Sequence, residues 1–146
     1  MKKSSFKIIE LQKIKTKEGY MFPIYKDWDD IHEGFIPEMV YATTISAGMS
    51  KDIIYHKKRT SFLTSIQGEM LIEMMVEGKV YKEILSKEDG NSKSKIVMID
   101  PCVPFRLTNA GTQVGIIINC PTYAWRPNSD EMIKFESWEK YEQWKG

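Results

Sequence analysis

The chain of 146 residues has the length of one domain, and its 42% hydrophobic and 28% charged residues are an ordinary globular mix that excludes disordered, collagen-like and low-complexity classes. Lys and Arg number 21 against 20 Asp and Glu, a net charge of +1 that lacks the field of a general nucleic-acid binder, so no nucleic-acid partner is expected. No run approaches the roughly 18 uninterrupted apolar residues of a membrane-spanning helix. Lys7, Glu10 and Lys13 break up the apolar stretch that a signal peptide would need. A soluble cytoplasmic protein with no membrane partner is expected. Cys102 and Cys120 are too few for a disulfide framework, and two reduced thiols are expected, a single bridge being the alternative.

In chain order, short apolar or alternating runs predict strands at 8–14, 40–46, 53–56, 61–67, 69–76, 79–85, 96–99, 105–109 and 113–119. Ala47-Gly48, Gln67-Gly68, Glu77-Gly78 and Ala110-Gly111 mark turns between them. Glu77-Gly78 has the form of a two-residue hairpin loop, where Gly supplies the positive φ of a primed turn. Residues 87–95 carry no apolar side chain and read as an exposed loop. After Ser137, a candidate N-cap, Trp138, Tyr141 and Trp144 recur every third residue and predict a terminal helix whose aromatic face docks on a sheet. Met39, Met49, Met70, Met74, Met75 and Met98 read as filler of an irregular core. Many short strands with Gly turns imply an all-β sandwich or barrel, and about nine fit a jelly roll.

Gly48, Ile54, His56, Ser61 and Gly68 stand at the spacing of a Gly–His-x-His–Glu–Gly frame, with Ile54 and Ser61 at the first His and the Glu positions. In IDPCVPFRLTNAG, residues 99–111, Pro104, Asn109 and Gly111 fit a second motif, and Phe105 stands where a His is expected. On these residues the chain resembles the cupin superfamily. VYATTISAG at 40–48, HKKRTSF at 56–62 and NCPTYAWRPNSDE at 119–131 narrow the resemblance to dTDP-4-dehydrorhamnose 3,5-epimerase-like and dTDP-sugar ketoisomerase-like small cupins. The fold it implies is a cupin jelly-roll barrel in a single domain over 1–146, with an N-terminal arm and strands at 1–37, the jelly-roll core at 38–120 and a tail with a short C-terminal helix at 121–146.

A metal cupin needs several His and carboxylate donors around one ion, and this frame offers only His56, so neither a metal nor another cofactor is expected. His32 lies outside the motifs. The resemblance implies isomerase or epimerase chemistry on a dTDP-4-keto-6-deoxy sugar, begun by a His at the earlier motif position that removes a proton next to the ketone. Ile54 cannot do this. His56, two residues on and facing the same interior at strand period two, is the candidate base. Tyr123 in PTYAW best resembles the partner acid. Lys57 and Arg59 are candidates to hold the diphosphate, Arg59 through its planar fork of donors. Asn109 is a further substrate-binding candidate, and Trp28, Trp125 and Tyr20 are candidates to stack the base. Tyr55 is expected to face outward, and Arg106 to sit at the surface or a dimer interface.

The partners implied are a nucleotide sugar and a second copy of the chain, a homodimer in which the N-terminal strand joins the partner's sheet. The competing expectation is a catalytically inactive cupin that binds a sugar or nucleotide sugar, or a regulatory partner; a metal cupin with a displaced site ranks last. No Gly-rich phosphate loop, GxSxG elbow or HExxH motif is present.

Overall fold

The computed structural model describes residues 3–26, 34–89 and 94–146. Its strands are β1 (Phe6–Glu10), β2 (Ile14–Lys15), β3 (Tyr20–Met21), β4 (Tyr41–Ile45), β5 (Ile53–His56), β6 (Ser61–Gln67), β7 (Met70–Val76), β8 (Lys79–Ser86), β9 (Lys95–Ile99), β10 (Phe105–Asn109), β11 (Gly115–Asn119) and β12 (Met132–Phe135), followed by helix α1 (Trp138–Lys145). Two five-stranded antiparallel sheets, in the orders β1-β9-β6-β11-β4 and β12-β5-β10-β7-β8, form the jelly roll, with β2-β3 as a separate ribbon.

Strand alternation builds the interior. β10 and β11 each alternate buried and half-buried positions, sending Phe105, Leu107 and Ile117 inward to meet Ile45, Leu63, Met70, Ile72, Met74 and Val97. Glu77 and Gly78 carry φ of 51° and 77°, the two positive values that a primed hairpin turn requires. Gly68, at φ 100°, admits no side chain, because a Cβ there would stand 2.8 Å from Gly115 Cα.

The outer faces are covered by the ends of the chain. Leu11, Phe22, Ile24 and Tyr25 lie over Phe62, Ile96 and Met98 of the first sheet. On the second sheet α1 docks as its sequence predicts: Ser137 Oγ accepts the Lys140 N–H at 3.2 Å, Tyr141 is buried against Ile53 and Phe135, and Tyr55 faces outward onto the Trp144 ring at 5.0 Å.

The differences from expectation are local. The strand expected at 8–14 is divided: β1 ends at Glu10, and Leu11 turns under the first sheet before the β2–β3 ribbon. β12 was not expected, because its alternating stretch is only four residues long and lies on a sheet edge, beside β5. Met70, Met74, Met75 and Met98 are core, whereas Met49 is 57% exposed in a turn. The loop expected at 87–95 gives way to β9 at Lys95, and its positions 90–93 lie outside the described residues. Both thiols are free, Cys102 exposed and Cys120 buried. No helix is long and apolar enough to cross a membrane among the described residues.

Candidate active site

The site grows from β5. Ile54 lies opposite Phe105 on one side and Lys134 on the other, and His56 lies opposite Met132. Ile54, His56 and Phe105 therefore share the inner face that the sequence frame assigned them, and they line a cavity of about 60 Å³. Tyr41 and Thr43 of β4, Asn119 of β11, and Lys51 and Arg59 flanking β5 complete its polar wall.

His56 is 5% exposed, and its Nδ1 lies 2.7 Å from Glu131 Oε1. The other carboxylate oxygen, Oε2, accepts the backbone N–H groups of Lys58 at 3.1 Å and Arg59 at 3.2 Å. Burial alone raises the Glu131 pKa, but the Lys58 amide, the imidazole and the Arg59 amide outweigh it and hold the carboxyl below its usual range. Glu131 is thus an anion at neutral pH. Burial, and then the Arg59 guanidinium, push His56 below the ordinary histidine value, and Glu131 offsets only part of this. The imidazole is neutral, donates its Nδ1 proton to Glu131 and keeps the Nε2 lone pair free to accept one.

Arg59, 4% exposed, closes the wall beside this pair. Its Nε donates to the Tyr123 carbonyl at 2.9 Å and lies 3.8 Å from Glu131 Oε1, and its Nη1 donates to the Tyr41 hydroxyl at 3.2 Å. The Tyr41 oxygen also accepts the Asn119 side-chain amide at 2.9 Å, while Asn119 Oδ1 anchors the Phe62 N–H at 3.0 Å. A phenol has two lone pairs and one proton. With both lone pairs engaged by donors, the Tyr41 proton is the one polar group left to give, and the residue lines the cavity that His56 lines.

The structure brings only part of the expected set together. His56 and Arg59 share the cavity, whereas Tyr123 is not in its lining. The Tyr123 ring instead has Lys58 Nζ at 5.6 Å and the Arg126 guanidinium at 5.8 Å, and its carbonyl rather than its hydroxyl reaches the site. Lys57 extends outward, 3.8 Å from Asp130. Trp125 is 59% exposed at the rim, beside a shallow pocket shared with Arg59, Arg126 and Glu131. Tyr20 is 53% exposed under Lys13 on the β2–β3 ribbon. Trp28 and His32 lie outside the described residues.

Asn109, expected at the site, is not in the lining of this cavity. It is fully buried, its amide donates to the Ile45 and Gln113 carbonyls at 2.9 and 2.8 Å, and its oxygen accepts the Gly111 N–H at 3.0 Å. With each polar atom hydrogen-bonded within the chain, it pins the β10–β11 turn. Arg106 is half-buried, donating to the Glu136 carbonyl at 2.6 Å.

Sequence reasoning missed Glu131, Tyr41 and Lys51. Tyr41 stood inside the quoted string at 40–48, two residues before Thr43 on the same strand face, and alternation would have placed it. The inner face does not supply the donor set of a metal site: Ile54 and Phe105 offer no donor, and no group of three His, Cys, Asp or Glu side chains gathers among the described residues.

No protein-family model matches the sequence, and no curated protein matches it. Solved structures do match the fold. A dTDP sugar isomerase from Desulfovibrio desulfuricans G20 aligns with a TM-score of 0.79 at 15% identity, over 92% of this chain and 86% of that one. A sugar 3,4-ketoisomerase from Thermoanaerobacterium thermosaccharolyticum, solved in complex with TDP, aligns at 0.69 and 18% identity over 93% and 90%. The Legionella pneumophila dTDP-6-deoxy-D-glucose-3,5-epimerase, in complex with dTDP-4-keto-L-rhamnose, aligns at 0.72 and 10% identity over 89% and 72%. The chain therefore has the RmlC-like cupin fold.

Proposed function

We propose that the protein is an isomerase or epimerase of nucleotide-linked 4-keto-6-deoxy sugars, with His56 as the base that removes a proton from the carbon next to the ketone. The observation that carries this reading is the buried His56–Glu131 pair: a neutral imidazole with its Nδ1 proton committed to a carboxylate and its Nε2 free. The kinship of fold with enzymes of this chemistry supports it.

The step follows from the charges. His56 Nε2 takes the proton, the carbon–hydrogen electron pair moves onto the carbonyl oxygen, and the imidazolium that forms is met by the Glu131 carboxylate already in place. Return of a proton to the same carbon from the opposite face inverts it. Return to the neighbouring carbon, with loss of the hydroxyl proton, moves the ketone. Tyr41 takes the acid role assigned by resemblance to Tyr123, because its hydroxyl has a proton to give into this cavity and its oxygen keeps two donors afterwards. Arg59 positions Tyr41 and the 121–131 segment rather than reaching outward for phosphate.

A second reading, a catalytically inactive cupin that binds a sugar or nucleotide sugar, is favoured by Ile54 and by a cavity well below the roughly 300 Å³ at which ligand pockets begin. Incubation with dTDP-4-keto-6-deoxyglucose, followed by carbon NMR, separates the two. A new keto-sugar supports the enzyme; unchanged sugar with saturable binding supports the binder.

A further inference from the structure

The inner cavity has two unlike walls. On the first sheet Tyr41 lies opposite Asn119 and Thr43 opposite Ile117, so hydroxyl and amide groups run down that side. The Thr43 hydroxyl has no hydrogen-bond partner among the described residues. On the second sheet Ile54 lies opposite Phe105, and Leu107 follows two residues along the inner face of β10. None of these three side chains carries a donor or an acceptor. Phe105 and Leu107 are 3% and 4% exposed and belong to the main core, against which Ile54 packs. His56 stands on the same wall as Ile54, two residue rises or roughly 6–7 Å along the strand, so the reacting imidazole borders an apolar surface.

Size narrows what that wall can take. The cavity of about 60 Å³ exceeds the roughly 10–15 Å³ that admits one water-sized group and is far below the roughly 300 Å³ of a pocket that encloses a ligand. It therefore takes a substituent and the adjoining edge of a ring, with the remainder of the molecule outside. Every exocyclic group of a 6-deoxy pyranose is an oxygen except one methyl. The oxygens match the wall of Tyr41, Thr43 and Asn119, and the methyl matches the wall of Ile54, Phe105 and Leu107. Ile54 and Phe105 occupy two positions where the sequence frame expects histidines, and it is these two side chains that make the second wall apolar.

We infer that Ile54, Phe105 and Leu107 form the seat of the sugar's exocyclic methyl and select a 6-deoxy sugar against its 6-hydroxy counterpart. The inference rests on the function proposed above for the class of ligand. A hydroxymethyl group turned to this wall buries a hydroxyl without a partner, which opposes binding, whereas a methyl gains by leaving water. Ile54 and Phe105 are thus specificity-determining residues, and the proton transfer itself stays with His56.

Calorimetric titration of the full chain with dTDP-6-deoxyglucose and dTDP-glucose tests this, because the pair differs by one oxygen and neither carries the ketone that would react. The 6-deoxy sugar should bind roughly 10- to 100-fold more tightly. Ile54→Thr adds a hydroxyl to the wall and Ile54→Ala adds room, and each should remove most of that preference, while Thr43→Val should leave it in place. Both sugars are titrated into one preparation, so a lowered folded fraction cancels from the ratio. Equal affinities in the parent, saturable binding of neither sugar, or a preference that survives both Ile54 variants overturns the inference. Ring-proton exchange in the keto-sugar decides the isomerase reading separately. Preference without exchange keeps the methyl seat and removes the enzyme, and exchange without preference does the reverse.

Discussion

His56 and Glu131, 75 positions apart in sequence, meet at 2.7 Å between two buried side chains, and this contact sets the tautomer on which the proposed chemistry depends. Glu131→Gln keeps the shape but can no longer favour an imidazolium. We expect kcat/KM on a keto-sugar substrate to fall about 10²–10³-fold with KM little changed. Glu131→Ala leaves a buried imidazole and two amides without a partner and should destabilise the fold by about 3–5 kcal/mol in urea unfolding. Equal activity in Glu131→Gln would remove the carboxylate from the mechanism.

The same pair fixes a pH dependence. The folded-state pKa of His56 lies below the 6.5 of a free histidine, so below about that pH the unfolded chain binds the proton more readily and stability falls as pH drops towards the folded value. Glu131 lies below 4.5, so its contribution is present above that value and is lost as pH falls through its folded pKa. Both slopes have one sign. Urea midpoints should therefore be level above about pH 7 and decline on acidification, and the acid limb of kcat/KM should lie below 6.5. A stability maximum on the acid side of that value contradicts the assignment.

Asn109 separates a structural role from a binding one. Asn109→Ala strands two carbonyls and the Gly111 N–H at the β10–β11 turn, at a cost of roughly 2–4 kcal/mol. Ligand affinity per folded molecule should not change. Loss of affinity in a variant that still melts like the parent would return Asn109 to the site.

The two thiols make a simple check on the topology. Cys102 is exposed at the start of the β9–β10 turn, and Cys120 is buried under the first sheet, where burial raises its pKa. Under native conditions one thiol per chain should react with a disulfide reagent promptly and the second only on unfolding. Two fast thiols would contradict the packing of 119–122 against Phe62.

Where side chains act on near neighbours, the sequence was sufficient. The alternation in 105–109, the Glu77-Gly78 turn and the Ser137 cap are each written within a few residues, and the sheets form as those patterns dictate. The motif frame put Ile54, His56 and Phe105 on one inner face for the same reason. Glu131 was not legible, because it reaches His56 only after the chain turns at Arg126–Ser129, with Asn128 at φ 62°, into a strand four residues long. Lys51 was hidden because period-two reading along β5 assigns it the opposite face, whereas one extra residue lies between the Ser50–Thr108 bridge and the Ile54–Phe105 pair. Tyr123 stood where the resemblance placed the acid, but its ring lies near Lys58 and Arg126, while Tyr41 lines the cavity.

Proton NMR in D₂O of dTDP-4-keto-6-deoxyglucose, with the C3 and C5 protons followed over time, tests the central claim most directly. The account predicts protein-dependent loss of one or both signals, abolished by His56→Asn and slowed strongly by Glu131→Gln. Signals that persist with wild-type protein, or exchange that survives in a folded His56→Asn variant, would contradict it.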